Sequence, residues 1–297
     1  MKKLTCLGLS IVMALSLLTA CGGGETSTAG SETGSTTTSA SQSAANAGTT
    51  EEITGTVNTD GSTSMADVMA VLKETFAEVQ PGVNVNYTGS GSGSGITNVL
   101  NGSVDIGLSS RALKAEEEEQ GAVAHIVALD GVAVVVNPEN TVADLTVEQI
   151  AKIFSGEITN WSEVGGADAE IAVFGRESGS GTRGAFEEIV GVEDACVYTN
   201  EYSSTGDMVG AVAGNPNAIG YASLSAVDES VIAVSVNGVA PSEATVKDGT
   251  YEIQRPFVMV TKEGTELSEA AQAFLDYATS AEVAEYIAAA GAVSPQG

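Results

Sequence analysis

Three Ser/Gly-rich turns carry the chemistry that this chain's residue types make available: Gly61-Ser62-Thr63-Ser64, Gly89-Ser90-Gly91-Ser92-Gly93-Ser94-Gly95 and Arg176-Glu177-Ser178-Gly179-Ser180-Gly181-Thr182. Each runs straight into a segment whose apolar residues recur at helical spacing. A turn of this composition at a helix start presents unpaired backbone N–H groups, hydroxyl donors and the positive end of the helix dipole at one place. Three such ends, together with the guanidinium of Arg176, can surround a small tetrahedral oxyanion with neutral donors and one positive charge. Any one of these turns alone is more often an ordinary helix cap or a flexible loop. Their threefold recurrence between strand and helix is what favours anion binding.

The elements that must position these turns follow from periodicity. Met65, Val68, Met69, Leu72, Phe76 and Val79 predict a helix that Pro81-Gly82 ends, and Val83–Tyr87 alternates as a strand leading into the second turn. Ile96, Val99 and Leu100 open the next helix, and Val104–Leu108 reads as a strand. Val132–Val136 is a continuous apolar strand, Leu145–Phe154 an amphipathic helix, and Ile171–Phe174 the strand that feeds the third turn. Further strands are expected at Ile219–Tyr221, Val231–Val236 and Phe257–Thr261, then helices over Leu267–Ala278 and Ala281–Ala289. This alternation predicts an α/β fold with mostly parallel sheet, in which ligands sit beyond the carboxyl ends of strands.

The chain has 297 residues and a formal net charge of −28. Such a surface argues against nucleic acid and anionic lipid headgroups as partners. It also repels anionic ligands at long range, so a site must win by directed hydrogen bonds inside a desolvated cleft. Met1-Lys2-Lys3, the apolar run Leu7–Leu18 and Leu18-Thr19-Ala20-Cys21 form a secretory signal over residues 1–20, and the last four residues resemble a bacterial lipobox. That implies cleavage before Cys21 and lipidation of its thiol. Residues 21–50 are Gly, Ser, Thr and Ala with almost no large apolar side chain, and read as a flexible tether. The product expected is an extracytoplasmic protein held at the cell membrane by lipid. Cys6 leaves with the signal, so Cys196 is the one free thiol and no disulfide can form in the mature chain.

Other chemistries fit poorly. Gly179-Ser180-Gly181-Thr182-Arg183-Gly184 matches the G-x-G-x-x-G dinucleotide pattern, a weak motif on its own. A serine hydrolase would need a G-x-S-x-G elbow, and the chain contains none. His125, the single histidine, is read as structural or surface, and with one free Cys it makes a metal site improbable. No Gly-Lys-Ser/Thr follows a glycine cluster, which removes the P-loop. The expectation is therefore no enzyme, no metal and no cofactor. Glu116–Glu119 reads as a solvated acidic helix face, and Trp161 as either a core anchor or a cleft wall.

Taken in order, Asp60–Ser64, Tyr87–Ile96, Asp105–Arg111, Leu145–Trp161, Gly175–Thr182 with Phe186, and Asn215–Tyr221 resemble the phosphate-binding component of the high-affinity phosphate ABC transporter. The resemblance spans about Ile53 to the C-terminus. It implies a two-lobed periplasmic-binding-protein fold of type II, non-enzymatic, that closes on inorganic phosphate and docks on a permease powered by a cytoplasmic ATPase. Lobe I would comprise residues 53–136 and 255–297, and lobe II residues 137–254. By motif position the implied phosphate ligands are Ser62, Thr63, Ser64, Ser92, Ser110, Arg111, Arg176, Ser180, Gly181 and Thr182. Two departures matter. Where some members carry an aspartate that accepts the proton of bound phosphate, this chain has Ser110 followed by Arg111, and Ser178 replaces an aspartate beside the arginine. Arg111 is then a candidate for extra positive charge, with Glu177 or a backbone carbonyl as acceptor. Sulfate, molybdate or tungstate on the same fold, and a sensing role without transport, stay open.

Overall fold

Pairing begins with a strand that the periodicity does not announce. β1 (Gly55–Gly61) is polar in sequence, yet it lies between β2 (Val83–Gly89) and β3 (Ile106–Ser109), parallel to both, with Val57 and Thr59 buried. The computed structural model describes residues 53–295; the expected signal, Cys21 and tether lie outside the described residues. After β1 a short 3-10 turn, Thr63–Met65, leads into α1 (Ala66–Val79), which buries Val68, Met69, Leu72 and Phe76. Gln80 leaves helical geometry ahead of Pro81, as the residue before a proline tends to.

α2 (Ser92–Leu100) follows β2, and α3 (Ala115–Glu119) follows β3. β4 (Ala122–Val136) is much longer than the expected Val132–Val136, because His125–Leu129 continues the same strand. β5 (Asp144–Leu145) precedes α4 (Val147–Phe154), whose Thr146 and Gln149 form a reciprocal capping box. β6 (Ala172–Arg176), α5 (Gly181–Val190), β7 (Asn200–Tyr202), α6 (Thr205–Ala213) and β8 (Ala218–Ser223) complete a second strand-turn-helix run. The stretch expected as one strand at Val231–Val236 is two, β9 (Ile232–Ala233) and β10 (Ser235–Val236), because the first pairs with β4 and the second with β5. Then come α7 (Glu243–Lys247), β11 (Gln254–Lys262), α8 (Glu269–Ala278) and α9 (Ala284–Ala289).

The strand order is β2-β1-β3-β11-β4-β8-β6-β7. Its outer strands are parallel and its centre antiparallel: β11 pairs with β3 and β4, and β4 with β8. Among the described residues apolar burial sorts into four clusters, of which the two largest mark the two halves of this arrangement. One core gathers Val57, Leu72, Phe76, Ile106, Phe257 and Phe274; the other gathers Val134, Phe154, Trp161, Phe186, Tyr221 and Val236. In the second core Phe186 stacks on Tyr221 with centroids 4.2 Å apart, and Phe154 meets Phe186 edge-on at 4.7 Å. Trp161 is a core anchor, its indole N–H donating to the Asn217 carbonyl at 3.0 Å.

β4 ties the two cores together, pairing with β11 through Gly131 and with β8 from Val132. At that crossing lies a fully buried ion pair. Arg255 donates from Nε and Nη2 to Asp130 Oδ2 at 3.0 and 2.9 Å, and Ser223 donates to Asp130 Oδ1 at 2.7 Å. Burial pushes the Asp130 carboxyl up and the Arg255 guanidinium down, while their mutual contact opposes both shifts. Breaking such a pair leaves an uncompensated buried charge. Asp130→Ala is expected to cost about 3–5 kcal/mol of stability, read by chemical denaturation, with much of the loss recovered when Arg255→Met is added.

Candidate anion-binding site

The carboxyl ends of β1, β2 and β3 on one side and of β6 and β7 on the other face a common cleft. From the first side come Ser62, Thr63 and Ser64 after β1, Ser92 at the start of α2, and Ser110 after β3. From the second come Arg176 at the end of β6, Ser180, Gly181 and Thr182 at the start of α5, and Thr205 at the start of α6. Ser180 caps α5 by accepting the Arg183 N–H, and Ser204 caps α6 by accepting the Asp207 N–H.

The two sides touch through hydroxyls. Ser64 Oγ lies 2.6 Å from Thr182 Oγ1 and 3.1 Å from Thr205 Oγ1, and Thr63 Oγ1 lies 3.2 Å from Thr205 Oγ1. The Gly93 N–H donates across to the Gly179 carbonyl at 3.1 Å. A Cβ on Gly181 would stand 2.3 Å from Ser92 Oγ and 2.8 Å from Ser110 Oγ, so only glycine allows this approach. Gly91, at φ +94, sits in the left-handed region and also faces Gly179. Ser92 Oγ in turn accepts the Ser110 N–H at 3.1 Å.

Arg176 is 1% exposed. Its guanidinium donates to the Tyr202 carbonyl from Nε at 3.1 Å, to Thr205 Oγ1 from Nη1 at 2.9 Å and to the Ser203 carbonyl from Nη2 at 2.8 Å. All three acceptors are neutral. Among the described residues the ion pairs involve Arg111, Lys152, Arg183 and Arg255, and Arg176 takes part in none. Burial pulls its affinity for the proton down, with Tyr221 and Glu177 acting the other way, and an arginine stays protonated regardless. The result is a desolvated positive charge with no counter-ion bonded to it.

A polar clamp fixes the strand end that carries this charge. The Arg176 N–H donates to Tyr221 OH at 3.1 Å, and its carbonyl accepts from Arg183 Nη1 at 3.0 Å. Arg183 also pairs with Glu187 at 2.8 Å and with Glu201, and Tyr198 joins Tyr221 at 3.1 Å and Glu187 at 2.9 Å. Burial raises the Tyr198 and Tyr221 phenols, so both stay protonated donors. Among the described residues four buried side-chain atoms have no protein partner: Asp60 Oδ1, Arg255 Nη1, and the hydroxyls of Ser62 and Ser90, which follow the carboxyl ends of β1 and β2. Leaving such groups unpaired is costly, and the two hydroxyls are donors that an acceptor-rich ligand could satisfy.

Nine of the ten residues singled out from sequence therefore frame one cleft. Arg111 lies at the cleft's edge, its Cδ 3.4 Å from where a Cβ on Gly184 of α5 would stand, and its Nη1 and Nη2 donate to Glu117 Oε2 and Oε1 at 2.8 and 2.7 Å, with Nη1 also reaching the Ala112 carbonyl. Its charge is neutralised, and Glu117 belongs to an internal clasp where a solvated acidic face was expected. Thr205 is the residue that sequence reasoning passed over. The signal was available, since Ser203-Ser204-Thr205 also stands between a strand and a helix, but it lacks the glycines that mark the other turns.

This fold and this site define a class, a two-lobed binding protein built to hold an anion between its halves. The comparisons agree. A family model described as a PBP superfamily domain matches residues 27–282. Phosphate-binding protein PstS of Bacillus subtilis (strain 168) is 35% identical over 244 residues, covering 80% of this chain and 79% of that protein. PstS of Borreliella burgdorferi is 30% identical, covering 75% and 84%. Among solved structures, a Clostridium perfringens protein described as a phosphate ABC transporter substrate-binding protein, with phosphate bound, is 41% identical with a TM-score of 0.78, covering 81% of this chain and 99% of that one. An ABC-type phosphate transport receptor from Vibrio cholerae is 34% identical with a TM-score of 0.67, covering 80% and 100%. The chain belongs to the PstS family of phosphate-binding proteins within the PBP superfamily.

Two outcomes follow from the geometry. Gly181→Ala should hold the lobes apart, so that small-angle scattering at saturating ligand gives a larger radius of gyration than for the unmodified chain. For Glu117, burial alone would raise the carboxyl, but the bonds from Arg111 and the Lys114 N–H prevail and hold it below its ordinary 4.5. A carboxylate lowered on folding lends stability above its unfolded pKa and loses it as pH falls through the folded value. The melting-temperature advantage over Glu117→Gln should accordingly be full at pH 7 and shrink steadily between pH 5 and pH 3.

Proposed function

We propose that this chain captures inorganic phosphate in the cleft between its lobes and delivers it to the permease of an ABC importer. The observation that carries the reading is Arg176: a buried guanidinium bonded only to neutral acceptors, one of them the Thr205 hydroxyl, which is joined in turn to Thr63 and Ser64 across the cleft. Such a charge gains most from a ligand that brings negative charge and several acceptor oxygens. A tetrahedral oxyanion offers both. In the proposed site Arg176 supplies the charge, Ser62, Thr63, Ser64, Ser92, Ser110, Ser180 and Thr182 supply hydroxyls, and Gly181 supplies close backbone approach. Arg111 acts from outside the ligand shell, through its clasp with Glu117.

The phosphate named in the relatives' descriptions supports the choice of ligand. Lobe I is proposed to take residues 53–131 and 255–297 and lobe II residues 132–254; the change comes before 136 because Val132–Val136 pair with β8 and pack in the second half, and β4 and β11 are the connections that bend. Binding needs both lobes, so ligand and closure are coupled. The leader and the Leu18–Cys21 tetrapeptide support a lipid anchor at Cys21 and an extracytoplasmic location, and among the described residues no helix is long and apolar enough to cross a membrane. The protein works as a carrier, with its partners the permease and that permease's cytoplasmic ATPase.

Calorimetric titration of ligand-stripped protein with phosphate and then sulfate, across pH 5 to 8.5, tests the reading. Saturable phosphate binding that outcompetes sulfate is expected; comparable sulfate binding, or none for phosphate, would overturn it. Arg176→Ala should weaken phosphate binding by about 1.5–3 kcal/mol or more, the scale of a charge-assisted hydrogen bond. Unchanged affinity in that variant would remove Arg176 from the site.

A further inference from the structure

Among the described residues four hydrogen bonds cross the cleft away from the strand connections: Thr63 to Thr205, Ser64 to Thr205, Ser64 to Thr182, and the Gly93 N–H to the Gly179 carbonyl. Two of the four end on one atom, Thr205 Oγ1. The same atom accepts from Arg176 Nη1 at 2.9 Å. Thr205 is 3% exposed and is the first residue of α6; because Ser204 supplies the cap, the Thr205 hydroxyl is free to face the cleft. A hydroxyl has one proton to give and two lone pairs. With Arg176 occupying one lone pair, the proton and the remaining lone pair match the two hydroxyls arriving from the other lobe.

We propose that Thr205 is the closure latch of this binding protein: a positioning residue that links the anion-directed arginine of one lobe to Thr63 and Ser64 of the other. The link can form only when the lobes meet. It therefore stabilises the closed state, and with it the residence time of the ligand, without taking part in the first encounter. Thr182, by contrast, reaches Ser64 alone and has no bond to Arg176. The proposal rests on phosphate as the ligand for its kinetic form, but the latch itself is a property of the lobes.

Stopped-flow kinetics with inorganic phosphate provide the test. Thr205→Val keeps the shape and deletes the hydroxyl, and should raise the dissociation rate roughly five- to hundredfold, the range for losing two net hydrogen bonds. The association rate should stay within about threefold, since interface changes act mainly on dissociation. Thr205→Ser should restore slow dissociation. A merely structural role would instead lower the binding stoichiometry and the melting temperature. Wild-type dissociation in Thr205→Val, or failure of Thr205→Ser to rescue, overturns the latch. If the unmodified chain does not bind phosphate, the ligand assignment falls, and the latch is judged by scattering from ligand-free protein. A larger radius of gyration for Thr205→Val than for the unmodified chain supports it, and identical profiles overturn it.

Discussion

One constraint organises this molecule: a guanidinium must be kept buried, charged and without a bonded counter-ion at the end of a strand. Desolvating a charge is expensive unless hydrogen bonds replace its water. Arg176 meets that cost with two carbonyls and a hydroxyl, acceptors that satisfy the donors while leaving the charge uncancelled. The chain carries 39 acidic residues against 11 lysines and arginines, so the harder task is to keep carboxylates from bonding to it. Glu177, adjacent in sequence, makes no bond to the guanidinium, and Ser178, the next residue, is exposed and carries no charge. Glu187 and Glu201, the acidic groups of the supporting clamp, are taken up by Arg183, and Arg183 returns its own donor to the Arg176 carbonyl.

The other deeply buried arginine shows the opposite arrangement. Arg255 is paired with Asp130 where β4 passes from one half of the sheet to the other, so the connection carries no net charge. A neutralised pair suits a place where the chain must flex while staying dry, whereas an unneutralised arginine suits a place that must attract. Arg255 depends on β4 and β8 being adjacent, through Asp130 and Ser223, and Arg176 on β6 and β8, through Tyr221. Serine and threonine hydroxyls then line the space between the halves. Each can donate or accept, so the lining can bond across the space or to a ligand within it.

How much of this was legible in the sequence depends on how local each feature is. The Ser/Gly/Thr turns could be read because N-capping, left-handed glycines and helix starts are decided within a few residues, and Gly91, Ser180 and Gly181 occupy the places those rules assign. α1 and the Phe257–Thr261 strand were legible from apolar spacing. β1 was not, since Gly55–Gly61 has only Val57 as a large apolar residue and owes its place to pairing on both edges. The extension of β4 back through His125 was hidden for the same reason: Val123 and Ile126 are exposed, so the run does not alternate cleanly. Arg111 illustrates a third case. Its position beside Ser110 suggested positive charge for the cleft, but six residues on, Glu117 offers a bidentate partner that only the α3 turn brings within reach.

Long-range electrostatics would turn an anion away from this protein. At a formal net charge of −28 the approach is uphill, but exposed charges are screened beyond about 8 Å at physiological salt, while a buried donor acts at full strength over one hydrogen bond. Affinity must therefore arise after entry, from donors that become dry only as the lobes meet. This makes the contacts between lobes part of recognition: the same hydroxyls that face the ligand space also bond to one another across it. An anion of the wrong size or oxygen geometry would prevent Ser64 from reaching Thr182 and Thr205, and would lose the closed state along with its own contacts. On the proposed reading selectivity follows the geometry of closure, which gives the close approach at Gly181 a part beside the charge of Arg176.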